Sequence, residues 1–287
     1  MANEEFQLLD RSISDIIKAR TSVRTYKKEP ITKEIEEKLR NFYTNIEGPF
    51  NSKVRFKLFN SNEMSHDSSI KLGTYGVIKG TSFFIAAAVE KADKNMEELG
   101  YELEKLVLYC TSLGIGTCWL GGTFKKGEFA KAIDLKENEL LPIVTPIGYA
   151  SESRSIVDSI FRFASGSKNR KPWDEIFYYG SFGKPLSMEE AGEYSAALEM
   201  VRLAPSASNK QPWRIIKNNA DFHFYLHRTK GYGASLGYDI QKIDMGIAMC
   251  HFELTAKEAM LKGEWQFDKS LAANSTSDIE YIISWKR

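Results

Sequence analysis

Basic and hydroxyl side chains alternate in a short segment near the start of the chain. Arg20, Ser22 and Arg24 share one side of this segment if it is extended, because successive side chains of a strand point to opposite faces. Planar guanidinium groups form paired hydrogen bonds with phosphate oxygens, so this side suits a phosphate group. Taken alone, the pentapeptide fits a solvated strand edge better, and the same two interpretations apply to the cationic residues at 168–171.

Two further segments carry groups suited to a flat heteroaromatic ligand. Residues 204–213 read APSASNKQPW; the prolines fix the backbone, while Ser206 and Asn209 offer hydrogen-bond donors and acceptors. An ordered turn explains this segment equally well. Residues 116–122 read GTCWLGG, and paired glycines let backbone N–H groups approach a ligand closely. The G-x-G-x-x-G dinucleotide motif is not present here, because Trp119 stands at the third glycine.

Composition and charge narrow the classes of function. The 287 residues are 43% hydrophobic and carry a formal net charge of +1, which gives no general attraction to nucleic acid or to an acidic membrane. The longest apolar run, 83–89, is far shorter than the ~20 residues that span a bilayer, and the acidic N-terminus does not resemble a signal peptide. Three scattered cysteines argue against disulfides. We therefore expect a cytoplasmic protein without nucleic-acid or membrane partners.

Helical and strand patterns surround these segments. Apolar spacing predicts a helix over 12–20, a second that begins after the capping residue Thr32, and two longer ones over 101–113 and 243–261. A capping box of the form S-x-x-E begins another at Ser187. The predicted strands are 54–59, 82–89, 141–148, 213–217, 221–227 and 281–285.

The pattern occurs twice along the chain. Residues 30–34 (PITKE) match 185–189 (PLSME) in the proline, the capping hydroxyl and the glutamate, all at one offset. Each of the two longer helices is followed by a glycine and a tryptophan. The sequence thus predicts two domains, 1–180 and 181–287, intertwined as one pseudo-dimer, because a fused pair can reproduce a twofold interface inside one chain.

Together these segments resemble the FMN-dependent nitroreductase family, over nearly the whole chain. The patterns R-x-S-x-R/K, A-P-S-x-x-N-x-Q-P-W, L-G-x-G-x-x-W-x-G-G and R-K-P are matched by residues 20–24, 204–213, 113–122 and 170–172. The resemblance implies an α+β fold with central, mainly antiparallel sheets flanked by helices. It also implies FMN, which in ordinary members sits where two identical chains meet.

The two halves of this chain depart from the family pattern in complementary ways. Residues 47–52 (EGPFNS) stand where the first half would carry its proline-serine loop. The second half has that loop but no R-x-S-x-R before Lys184, and Gly263-Glu264-Trp265 lacks the paired glycines. This arrangement resembles a fused, pseudo-dimeric subgroup and implies one FMN per chain, in a cleft with one wall from each half.

The resemblance also assigns residues to the cofactor. Its phosphate and ribityl chain would contact Arg20, Thr21, Ser22, Arg24, Lys168 and Arg170. Its N5 and O4 edge would face the amides of Leu120, Gly121 and Gly122. The second half would contribute Pro205, Ser206, Ala207 and Asn209, and Thr74 and Tyr75 would line the ring.

The implied activity is hydride transfer through the flavin N5. NAD(P)H would reduce the flavin and leave, and a small-molecule acceptor of nitroaromatic or quinone type would then be reduced, with no metal and no essential side-chain acid or base. A flavin-binding sensor or storage protein without turnover shares the same motifs, and a pseudo-dimer without cofactor is a third hypothesis. In each case the fusion predicts a monomer.

Overall fold

The computed structural model describes residues 11–64, 72–152, 166 and 169–287. The chain forms two compact units, Met1–Ser165 and Gly166–Arg287. Residues 177–179, which the repeat placed in the first half, form a strand of the second unit's sheet.

The helices of the first unit begin where their capping residues predict. Helix α1 (Ile13–Ala19) follows Ser12, whose hydroxyl accepts a hydrogen bond from the Asp15 amide at 3.1 Å. Helix α2 (Lys33–Thr44) follows Thr32, which caps it in the same way. Both predicted helices are confirmed. The other helices among the described residues of this unit are α3 (Ser61–Met64), α4 (Asn95–Ser112) and α5 (Lys126–Ala132).

Four antiparallel strands form the first unit's sheet. They are β1 (Val54–Asn60), β2 (Phe83–Glu90), β3 (Gly116–Thr117) and β4 (Glu139–Gly148), in the order β1-β2-β4-β3. Strand β2 is buried up to Val89, which explains its continuous apolar sequence. Helix α4 is buried on nearly all sides and contacts α1, α2 and the sheet.

The second unit has a five-stranded sheet with its own helices. Its strands are β5 (Phe177–Tyr179), β6 (Trp213–Asn218), β7 (Asp221–His227), β8 (Glu264–Gln266) and β9 (Ile279–Lys286). Its helices are α6 (Met188–Ala191), α7 (Ser195–Leu203), α8 (Ile240–Glu258) and α9 (Lys269–Ala272). The capping box at Ser187 is confirmed, but the helix it starts is broken at Gly192, which has a φ of 61°.

The two sheets share one plan. The order β6-β7-β9-β8 repeats β1-β2-β4-β3, all of these pairs are antiparallel, and the strand pairs β2/β4 and β7/β9 both contain a register shift. Strand β5 is an addition that pairs in parallel with β6. The predicted fold, mainly antiparallel sheets with helices in two similar halves, is confirmed.

Candidate functional site

The arginine-serine segment of the first unit pairs with two neighbouring segments through its backbone. Ser22 forms a parallel bridge with Thr117, and the Val23 amide donates to the Thr117 carbonyl at 2.8 Å. The Arg24 carbonyl accepts from the Lys79 amide at 2.9 Å. The backbone is therefore held on both sides of Val23, in the extended form in which successive side chains alternate.

A buried carboxylate lies beside the first arginine. Glu104, on α4, is fully buried, and its Oε1 lies 4.0 Å from the Nε of Arg20, whose side chain is 9% exposed. The indole N–H of Trp119 donates to the other oxygen at 3.1 Å. A buried carboxylate requires such partners. Sequence analysis missed Glu104, because an ionisable residue in a helix normally indicates a solvent-facing position.

The structure of the segment 116–122 corrects the prediction for one of its amides. The Leu120 amide donates to the Val144 carbonyl at 3.0 Å, and the Val144 amide donates back to Leu120 at 3.1 Å. The Leu120 N–H is therefore committed to the sheet, and the expectation that it faces a ligand is corrected. Gly121 is half-buried and Gly122 is exposed, immediately beyond this bridge.

A strained turn carries the two residues that were assigned to the ring. Tyr75 has a left-handed φ of 48°, uncommon for an aromatic residue, and 69% of its side chain is exposed. Thr74 is buried, and its hydroxyl accepts from the Ile78 amide at 3.4 Å. Tyr75 is thus held out from the surface of the first unit by a fixed backbone.

The proline-serine loop of the second unit has an unusual backbone. Ser208, Asn209 and Gln211 all have φ between 46° and 54°, in the left-handed region. Residues other than glycine adopt this region only where surrounding contacts impose it. The loop is ordered by such contacts. Gln211 is buried, and its Oε1 accepts a hydrogen bond from the backbone amide of Lys171 at 2.8 Å. The backbone amide of Gln211 donates to Ser206 Oγ at 2.9 Å.

Arg170 and Asn209 form the other support of this loop. Arg170 Nη1 donates to Asn209 Oδ1 at 2.5 Å, and Nη2 donates to the Leu203 carbonyl at 3.0 Å. The Asn209 amide group donates to the carbonyls of Gly166 and Asn169. The structure therefore brings together two residues that were assigned to different parts of the cofactor. Lys168 lies outside the described residues.

A cavity of about 530 Å³ lies in the second unit, along the glycine-rich turn 228–241. Its size is that of a small-molecule pocket. Tyr232 lines it, and the Tyr232 hydroxyl donates to Ser208 Oγ at 2.8 Å, which connects the cavity wall to the proline-serine loop. The turn contains G-x-S-x-G at 233–237, but no apolar strand leads into it, so the sequence did not predict a site at this cavity.

The described part of the chain contains neither a membrane-spanning helix nor a metal-binding group of side chains. No helix there has both the length and the apolar character needed to cross a membrane. No three His, Cys, Asp or Glu side chains there are grouped to hold a metal ion. Cys118 is packed in an apolar cluster with Leu120, Phe124 and Phe129.

Comparison with known proteins supports one family. Residues 12–256 match the model of the protein family described as "Putative TM nitroreductase". No curated protein matches. Among solved structures, one described as a "putative nitroreductase" from Thermotoga maritima is 20% identical, with a TM-score of 0.61, and the alignment covers 96% of this chain and 94% of that one.

Shorter relatives align with only part of the chain. A nitroreductase family protein from Clostridium difficile 630 is 18% identical, with a TM-score of 0.44, over 61% of this chain and 99% of that one. An FMN-dependent nitroreductase from Clostridium difficile R20291 is 18% identical, with a TM-score of 0.39, over 49% of this chain and 88% of that one.

Proposed function

This chain belongs to the nitroreductase family that its residues 12–256 match, and from that premise we propose that it is an FMN-dependent oxidoreductase with one FMN per chain. The electron donor is NAD(P)H, and the acceptor is a small nitroaromatic or quinone-like molecule. The family motifs are divided between the two halves of the sequence, and each half carries motifs that the other lacks.

The segment 20–24 carries this proposal. Its extended backbone, fixed by Thr117 and Lys79, presents two guanidinium groups and a hydroxyl at alternate positions. The buried Glu104 lies beside Arg20, which favours one orientation of that guanidinium. An ordered pair of guanidinium groups fits the phosphate of FMN, since two parallel N–H donors match its oxygens.

The remaining contacts follow the motifs. Thr21 lies on the phosphate segment, and Gly121 and Gly122 supply small residues and backbone groups for the edge of the ring. Lys168 and Arg170 add positive charge, although Arg170 also supports the proline-serine loop. From that loop we assign Pro205, Ser206, Ala207 and Asn209 to contacts with the flavin, and we assign Thr74 and Tyr75 to the ring.

Bound FMN supplies the hydride chemistry, and the protein supplies position and charge. The arginines neutralise the phosphate, and backbone N–H groups favour negative charge where it develops. The strained loop holds a fixed shape, so binding costs little ordering entropy. No side-chain acid or base is required in this scheme.

The test begins with the visible spectrum and the ratio of flavin to chain in the purified protein. We expect a ratio near one, and the double variant R20A/R24A should lose its flavin during gel filtration. The charge-matched control is K27A/K28A, which removes two exposed cations next to the same segment. A double arginine variant that stays fully loaded would overturn the phosphate assignment, and a ratio near two would overturn the single site.

Turnover is tested separately by anaerobic mixing with NADH or NADPH. Loss of the flavin absorbance near ~450 nm is the expected result, since reduction removes the oxidised chromophore. An unchanged spectrum with both donors would instead identify a flavin-binding protein without NAD(P)H-driven turnover.

A further inference from the structure

A buried carboxyl group lies behind the proline-serine loop. Asp244, in the first turns of α8, is 2% exposed, and its Oδ1 accepts a hydrogen bond from the Ala207 amide at 2.9 Å. Its Oδ2 is buried and has no hydrogen-bond partner among the described residues. Burial raises the pKa of Asp244 well above its ordinary value. Burial thus favours the neutral, protonated form of this carboxyl group over the charged form.

The first unit has a carboxyl group at the matching position. Residues 97–119 align with 243–265 without a gap, which pairs Glu98 with Asp244. The same alignment pairs Gly100 with Gly246 and Trp119 with Trp265. Glu98 is 1% exposed, and its Oε2 accepts from the Phe50 amide at 2.8 Å. The same position of the long helix therefore contacts a connecting segment in both units.

These two connecting segments are also equivalent in the fold. Residues 47–52 lie between α2 and β1, and the loop 204–212 lies between α7 and β6, the strand that repeats β1. The side chain of Glu98 is longer than that of Asp244, and its carboxyl group also accepts hydrogen bonds from the backbone amides of Asn51 and Ser52. Asp244 receives the amide of Ala207. The carboxyl anchor is thus duplicated, while the sequence A-P-S-x-x-N-x-Q-P-W, called the ligand-binding sequence below, is present in the second unit alone.

The loop needs an anchor at this point. The Ala207 amide lies between the extended residue Ser206 and the left-handed residues Ser208 and Asn209, so it marks the start of the left-handed stretch. Other hydrogen bonds also order the loop: Arg170 donates to Asn209 Oδ1, and the Gln211 backbone amide donates to Ser206 Oγ. Asp244 accepts from the Ala207 amide itself.

We propose that Asp244 is a positioning residue for flavin binding: its carboxyl group holds the Ala207 amide and thereby sets the backbone of Pro205–Ala207 against the cofactor. This inference rests on the proposed function. Glu98 provides the same anchor in the first unit, for a segment that has lost the ligand-binding sequence. Asp244 itself need not contact the flavin.

Two substitutions of similar shape separate the hydrogen bond from the packing. D244N keeps an oxygen that accepts from Ala207, whereas D244L fills the same space without an acceptor. We expect the dissociation constant of FMN, measured by quenching of its fluorescence, to rise about tenfold in D244L, which corresponds to the loss of roughly one net hydrogen bond. The dissociation constant of FMN for D244N should remain within about threefold of the wild-type value. The visible circular dichroism of bound FMN should change in D244L alone.

The matched controls are E98Q and E98M in the first unit. E98M should lower the melting temperature but leave FMN affinity and circular dichroism unchanged, because its segment carries no ligand-binding sequence. If D244L does not fold, D244A, which leaves space instead of a new side chain, replaces it. D244L or D244A with wild-type affinity and dichroism would overturn the proposal, and so would E98M with an equal loss of affinity.

The failure of this inference is distinguishable from the failure of the proposed function. If wild-type protein binds no FMN, the proposed function fails, and the inference, which rests on it, fails with it. Amide hydrogen exchange at Ala207 then still reports whether Asp244 anchors the loop. If wild-type protein binds FMN, the D244L measurement decides the role of Asp244 alone.

Discussion

The substitution G116A tests whether close packing fixes the phosphate segment. Gly116, in β3, lies against Val23 of the segment 20–24, and an added Cβ would lie 2.7 Å from Val23 Cγ2 and 3.0 Å from Val23 Cβ. Val23 cannot move freely, since its amide is bonded to Thr117 and its β-branched side chain is restricted in χ1. The new methyl group must therefore push the two chains apart.

The expected cost is that of overpacking, about 1–3 kcal/mol in the free energy of unfolding. Urea denaturation measures it. Displacement of 20–24 should also weaken FMN binding, and about 1.4 kcal/mol of lost binding energy is a tenfold rise in the dissociation constant. V23A removes both γ-methyl groups, so the double variant G116A/V23A should recover stability, with a coupling energy of about 0.5–3 kcal/mol.

The control is G127A, in helix α5. An added Cβ there meets nothing within 4 Å, and alanine favours helix, so this variant should gain about 0.5–1 kcal/mol. The reasoning is refuted if G116A is as stable as wild type and binds FMN equally well. Strictly additive effects of G116A and V23A would refute it too, because the clash requires both side chains.

Three further predictions concern charged groups. R170K should destabilise the second unit by about 1–2 kcal/mol in urea, since lysine cannot form both hydrogen bonds of the guanidinium, while R202K, at a half-exposed ion pair, should cost less. The Arg55 guanidinium holds the pKa of Glu139 below its ordinary value. The melting temperature of wild type should therefore fall as pH falls below about 4.5, and the melting temperature of E139Q should fall less steeply with pH. Burial raises the pKa of Glu102 to about 9, so its contribution to the free energy of unfolding falls as pH rises from about 4.5 to 9. The E102Q variant should lack that loss, and its free energy of unfolding at pH 8 should exceed that of wild type by about 1 kcal/mol or more.

Much of the fold could be predicted from local signals. Capping residues set the starts of α1, α2 and α6, and strict alternation identified β7 with both of its ends. These signals are reliable because they arise from backbone groups and neighbouring side chains alone. The short strands β3, β5 and β8 were missed, since two or three residues carry no periodicity and pair only because a longer strand lies beside them.

The candidate site was predictable in its segments and less so in its supports. Motifs identified 20–24, 116–122 and 204–213, which the structure shows as ordered extended or strained stretches. The residues that order them, Glu104 and Asp244, are acids on buried helices. Sequence patterns assign such acids to the surface, because only the tertiary structure reveals that their partners are backbone amides and an indole.

The two halves have kept their sheets and changed their connections. Strands β1 and β2 are joined by residues 61–82, whereas β6 and β7 are joined by 219–220 alone, and the link that precedes the long helix is short in the first unit (91–94) and long in the second (228–239).

A fused pair makes this divergence possible. In a homodimer every substitution occurs at both symmetric sites, so a loop that binds a ligand cannot be lost from one of them. In one duplicated chain each half can lose what the other retains, as long as the sheet and its anchors persist. The retained carboxyl position at Glu98, beside a segment without the A-P-S-x-x-N-x-Q-P-W sequence, is the result expected when anchoring serves the fold in both halves and that loop sequence is kept in one.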